Sequence, residues 1–141
     1  MTTKPVAILL VEDDVVDQKV VTRAFHDMKI ANPIHIAGNG LKALAMLRGH
    51  DGHTQISRPY IILLDLNMPQ MNGIEFLQEL RKDPEHKSAV VFVLTTSKAE
   101  EDRVAAYDSN VAGYVVKSNV GPGFMKLVDM IDHYWKIVEL P

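Results

Sequence analysis

The chain has 141 residues, 47% hydrophobic and 23% charged, the proportions of one soluble globular domain that buries a core without staples. It has no cysteine, which excludes disulfides and thiolate metal sites and agrees with a reducing cytoplasm. A net charge of −3 without a Lys/Arg-rich run leaves no footprint for nucleic acid, and no apolar run suits a secretory signal or a membrane span.

Short apolar runs rich in β-branched residues alternate along the chain with longer stretches of helical period. The first strand is expected at Val6–Val11 and the first helix at Val15–Met28, where Val21, Ala24, Phe25 and Met28 recur at three- and four-residue steps. A strand at Ile34–Ala37, a helix at Gly40–Gly49, a strand at Tyr60–Leu64 and a helix at Gly73–Arg81 follow. Then come a strand at Val90–Leu94, a helix at Glu100–Tyr107, a strand at Gly113–Val116 and a last helix at Gly123–Val138. This alternation predicts an α/β fold, a doubly wound five-stranded parallel sheet with right-handed crossovers. The polar loops "HDGHTQISRP" and "KDPEHKS" need no special role. His50 and His53 read as solvated loop residues rather than a metal pair, and the other four histidines suggest no partners.

The ends of the strands carry the chemistry. Val11 is followed by Glu12, Asp13 and Asp14; Leu64 by Asp65; Leu94 by Thr95, Thr96 and Ser97; and Val116 by Lys117. In an open parallel sheet the carboxyl ends of the strands share one edge, so these groups should converge there. Asp13 or Asp14 alone could be a helix cap, Thr95 a backbone partner and Lys117 a surface charge. Their coincidence at one edge favours a site, with Asp14 assigned to capping. Clustered carboxylates repel, and a hard divalent cation relieves that repulsion with oxygen ligands alone. Around a phosphoryl group the set is coherent: Mg²⁺ and Lys117 neutralise its oxygens, the Thr95 hydroxyl donates to it, and Asp65 is available as a nucleophile.

The stretches "ILLVEDD", "IILLDLNMPQMNG", "VLTTS" and "GYVVKS", in this order, resemble response-regulator receiver domains, the fold of the bacterial chemotaxis regulator. The resemblance spans Val6 to Val138. It implies a flavodoxin-like receiver fold of strand order 2-1-3-4-5, a receiver domain over 6–138, a C-terminal tail at 139–141 and no output domain. It implies that Asp65 is the phosphoacceptor for a sensor histidine kinase. Asp13, Asp65 and the backbone carbonyl of Asn67 would hold Mg²⁺, with Mn²⁺ as a substitute and Glu12 acting through water. Thr95 and Lys117 match the family's conserved hydroxyl and lysine, and Tyr114 its aromatic switch. Asn67 and Ser97 stand where the family tunes acyl-phosphate lifetime. Ser118 departs from the proline that commonly follows the lysine. Together with the long Arg48–Pro59 loop, "YDSNVAGYVVKS" and "YWKIVELP", it is similar to small regulators that partner bacterial phytochromes.

With the receiver filling the chain, output is expected from its own surface. In the last helix Phe124, Leu127, Val128, Ile131, Trp135 and Val138 form one stripe, and Met130, Tyr134 and Ile137 a second beside it. Together they are wider than a core-facing stripe. This surplus, with Tyr107, suggests a homodimer through the Glu100–Tyr107 helix, the fifth strand and the last helix. Tyr134 and Met130 could instead cover neighbouring loops.

Three rival readings are weaker. A haloacid-dehalogenase-type phosphatase needs a second Asp two residues past its nucleophile on the first strand, whereas here Asp65-Leu66-Asn67 follows the third. A flavodoxin-like FMN binder needs a hydroxyl- and glycine-rich loop where Glu12-Asp13-Asp14 would repel phosphate. A non-phosphorylated interaction module would not need the full set of acids, Thr95 and Lys117. The sequence thus predicts a cytoplasmic phosphoacceptor signalling protein, not a turnover enzyme, with no nucleic-acid or membrane partner.

Overall fold

A computed structural model describes residues 6–27, 29–30, 32–66, 68, 71–95, 108–116, 122–137 and 140. Five parallel strands, β1 (Ala7–Val11), β2 (Ile34–Ala37), β3 (Tyr60–Asp65), β4 (Val90–Thr95) and β5 (Gly113–Val116), pair in the order β2-β1-β3-β4-β5. This is the expected doubly wound sheet. β1 and β3 are buried along their whole length, which is why their sequences are unbroken apolar runs.

Side chains alternate between the two faces. Leu9, Val11, Ile62 and Leu64 join one core cluster with Leu47, Phe76 and Leu80 from helices α2 (Gly40–Arg48) and α3 (Gly73–Lys82). Ile8, Leu10, Ile61 and Leu63 join the other with Val21 and Phe25 of α1 (Val15–Asp27) and Val128 and Ile131 of the C-terminal helix α4 (Pro122–Ile137). The expected stripes face the sheet where they are described, at Val21, Ala24, Phe25, Val128 and Ile131, while Val138 and the side chains of Phe124, Leu127 and Trp135 lie outside the described residues. Met28 and the expected Glu100–Tyr107 helix lie outside the described residues.

Several boundaries move by a residue, each for a local reason. Asp14 caps α1, its Oδ1 accepting the backbone N–H of Val16 at 2.8 Å and of Asp17 at 3.2 Å. α2 stops at Arg48 because Gly49 takes a left-handed conformation, φ 71°. α3 opens with a reciprocal capping box. Asn72 Oδ1 accepts from Glu75 N at 2.9 Å, and Glu75 Oε1 accepts from Asn72 N at 3.1 Å. β3 and β4 each run one residue further than expected, taking Asp65 and Thr95 into the ladder.

The opposite sheet edge corrects the reading of the loops. Arg81, on the last turn of α3, donates to the carbonyls of Ser109 (2.7 Å), Lys87 (2.7 Å), Ala89 (2.8 Å) and Asn110 (3.0 Å). That guanidinium ties α3 to the entrances of β4 and β5. Asp83 and His86, in the loop expected to be featureless, are also engaged. Arg48 Nε donates to Asp83 Oδ2 at 2.9 Å, and His86, 3% exposed, lies 2.7 Å through Nδ1 from the Tyr60 hydroxyl. His133 likewise has a partner, its Nδ1 standing 2.8 Å from the Asp129 carbonyl. Two of the four histidines read as partnerless are thus partnered.

Candidate functional site

The carboxyl end of the sheet gathers the acids. Carboxylate oxygens of Glu12, Asp13 and Asp65 lie within 4.8 Å of one another. Glu12 is 1% exposed and Asp65 5%, while Asp13 is exposed to solvent. Adjacent strands explain the meeting, since Val11 pairs with Leu64 and each acid follows at once in its own chain.

Local hydrogen bonds fix the acidic loop. Glu12 N donates to the Ala37 carbonyl at 3.0 Å, and Gln18 Nε2 donates to the Glu12 carbonyl at 2.6 Å. Glu12 Oε1 accepts the Asp14 N–H at 3.2 Å, while Asp14 turns away to cap α1. Consecutive acids are thereby divided between a cap and a cluster.

Asp65 is anchored by a steric constraint at Gly73. A Cβ there would stand 2.6 Å from both the Asp65 carbonyl oxygen and Leu66 Cα, so only glycine lets α3 start this close to the end of β3. The Gly73 N–H donates to the Leu66 carbonyl at 3.0 Å. Met71, at φ 67°, places its side chain and carbonyl against Gly40 at the start of α2. Leu66 and Met71 are thus each held against a helix start.

The fourth strand brings the Thr95 backbone to the same edge, one residue past the Asp65–Leu94 pair, and Thr95 in turn pairs with Val116 at the end of β5. Asn67, Ser97, Tyr107, Lys117 and Ser118 lie outside the described residues, as do the side chains of Thr95, Tyr114 and Ile137. Of the expected dimer face, Met130 is 42% exposed. Tyr134 packs edge-on against Phe92, ring centroids 5.5 Å apart, so part of its ring already belongs to the core. His50 and His53 are exposed, and among the described residues the only group of metal-competent side chains is Glu12, Asp13 and Asp65.

Ionisation is perturbed at the other edge. Burial pushes the Tyr60 phenol up to about 12. Burial also holds His86 below 6.5. For Asp83 burial acts upward, but the hydrogen bonds from Arg48 and the Glu85 N–H outweigh it and leave the carboxyl below 3.8. Sequence periodicity gave no signal for this group, because its members come from three separate segments, the end of α2, the start of β3 and the 83–89 loop.

Three carboxylates this close repel one another, and an all-oxygen donor set fits a hard divalent ion. A five-stranded 2-1-3-4-5 sheet with such a cluster at its carboxyl edge defines a receiver. The response regulator receiver domain profile matches residues 8–129, and the chain belongs to that family. It is 38% identical to response regulator Rcp1 of Synechocystis sp. over 138 residues, 97% of this chain and 94% of the relative. The crystal structure of the Mn²⁺-bound form of Rcp1 superposes with TM-score 0.85, covering 97% of this chain and 99% of that one. The phosphorylated cyanobacterial phytochrome response regulator RcpA superposes with TM-score 0.87 at 34% identity and the same coverage. The bacteriophytochrome response regulator AtBRR does so with TM-score 0.78 at 30% identity, covering 94% and 96%.

Proposed function

We propose that this receiver is the phosphorylated switch of a two-component phosphorelay, with Asp65 as phosphoacceptor. The observation that carries the reading is the meeting of Glu12, Asp13 and Asp65 at the carboxyl edge of the sheet. An Asp65 oxygen attacks the phosphorus of a kinase phosphohistidine, the P–N bond breaks, and an aspartyl phosphate forms as the imidazole leaves with the electron pair and takes a proton. Buried on the rigid end of β3, the Asp65 carboxylate needs little reorganisation before attack.

Glu12, Asp13, Asp65 and the Asn67 carbonyl would hold Mg²⁺, which supplies neutralisation of the phosphoryl oxygens. Thr95 and Lys117, at the ends of β4 and β5, bind the phosphoryl group in this proposal. Tyr114 relays its presence, and Asn67 and Ser97 set how long it lasts. The protein signals by contact, as a homodimer through the Tyr107, Met130, Tyr134 and Ile137 face, and not by turning over a substrate. The kinase is a phytochrome, a reading supported by the likeness to RcpA and AtBRR. A cytoplasmic location agrees with the lack, among the described residues, of any helix long and apolar enough to cross a membrane.

Incubation with Mg²⁺ and acetyl phosphate, followed by intact mass, tests the central claim. Wild type gains one phosphoryl group and Asp65→Asn gains none; an equal gain on the variant refutes the assignment. Transfer of label from an autophosphorylated phytochrome kinase tests the partner, and sedimentation with and without a phosphoryl mimic tests the dimer.

A further inference from the structure

We propose that a cleft at the amino-terminal edge of the sheet, between β2, the end of α2 and the 49–59 loop, binds a small amphipathic carboxylate. Arg58 holds the head group, and Ala7, Pro33, Met46 and Ile56 hold the apolar body. The cleft has a volume of about 480 Å³, within the usual range for small-molecule sites. It opens beside Ala7, at the other end of β1 from Glu12, separated from the acid cluster by roughly 16 Å of strand.

Its wall is preformed rather than loose. Gln55 Nε2 donates to the Leu47 carbonyl at 3.1 Å, and Ile56 N donates to the Met46 carbonyl at 3.0 Å. The Ile56 side chain is 4% exposed and belongs to the core, and Ala7 N donates to the Pro59 carbonyl at 3.0 Å. The loop that borders the cleft is thus fastened to α2, to the core and to β1. A ligand entering it need not order the backbone first.

Charge selects the ligand. The chain carries 18 acidic and 15 basic residues, yet among the described residues no Asp or Glu lines this cleft, whereas Arg58, His35 and His53 do. Among the described residues Arg58 forms no ion pair, although it also borders the adjoining clefts that hold Glu85, Tyr60 and His86, so a carboxylate must draw its planar fork toward this one. One permanent positive charge matches a monoanion better than a phosphate dianion. The ring nitrogens of His35 and His53, with the Thr54 and Ser57 hydroxyls, supply hydrogen bonds around the head group. The apolar lining accounts for the other half of the ligand.

Octanoate is the probe, with 1-octanol lacking the charge and acetate lacking the apolar body. Amide and methionine-methyl NMR shifts are followed during titration of the full chain. Octanoate should give saturable shifts at His35, Met46, Ile56 and Ser57, and bind at least ~10-fold tighter than either control. Arg58→Gln should weaken octanoate at least ~10-fold and bring it to the level of octanol, with an unchanged thermal midpoint. The octanoate–octanol comparison on wild type stands if that variant folds poorly. The proposal is overturned by non-saturable shifts, by shifts spread over exposed apolar residues such as Val16 and Leu41, or by equal affinity for octanoate and octanol.

Discussion

Gly73→Ala separates two effects of opposite sign. Alanine is the better helix former by about 0.5–1 kcal/mol, so on propensity alone the change at the first residue of α3 should stabilise. The structure predicts the reverse, because the new Cβ would lie 2.6 Å from the Asp65 carbonyl oxygen, 2.6 Å from Leu66 Cα and 2.9 Å from Leu66 Cδ2. The first two are backbone atoms at the end of a buried strand and cannot swing aside. Overpacking of this kind costs about 1–3 kcal/mol, which exceeds the propensity gain over most of that range. The net loss should be about 0.5–2 kcal/mol by urea unfolding, with the thermal midpoint falling by roughly 2–8 °C. Relief by separating α3 from β3 moves Asp65 as well, so the initial rate of labelling by acetyl phosphate should fall more than stability alone requires. Gly38→Ala is the control, since a Cβ there meets nothing within 4 Å. Gly73→Ala as stable as wild type and labelled at the same rate would show that close approach does not position the acid.

Arg81→Ala strips four carbonyls of one donor group and should destabilise by about 2–4 kcal/mol in urea, with Arg81→Lys recovering less than half, because an ammonium cannot span the fork. His86 is held below 6.5 in the folded chain, so the unfolded chain takes the proton first as pH falls. Stability should therefore be full above 6.5 and decline below it, and His86→Gln should flatten that slope in urea midpoints measured between pH ~7.5 and ~5.5. The Asp83 contribution falls in a separate window, below 3.8. Mg²⁺ at about 100 times its Kd should stabilise wild type by about 2.7 kcal/mol. Asp13→Asn should lose most of that gain and, in EDTA, be no less stable than wild type, since one repelling charge is gone; calorimetric midpoints decide both.

The two ends of the sheet differ in how far they can be read from sequence. Burial on both faces forces β1 and β3 into unbroken apolar runs, and parallel pairing then brings whatever follows Val11 and Leu64 to one edge. Glu12, Asp13 and Asp65 were legible for that reason, and the assignment of Asp14 to capping followed from its place before α1. At the amino-terminal edge the partners are far apart in the chain: Tyr60 and His86 by 26 positions, Arg81 and Ser109 by 28, Arg48 and Asp83 by 35. Periodicity and turn chemistry report only neighbours within a few residues, so "KDPEHKS" looks like solvent-facing loop although it holds a 3%-exposed histidine. The space between Gly73 and Leu66 was invisible too, because glycine in "MNG" reads equally well as a turn residue. This difference has a functional corollary. The acid cluster depends on local loops and a close helix approach, whereas Arg81, Asp83 and His86 hold the scaffold through contacts that never touch it. Substitutions at the amino-terminal edge should thus change stability while leaving the proposed labelling chemistry at Asp65 intact.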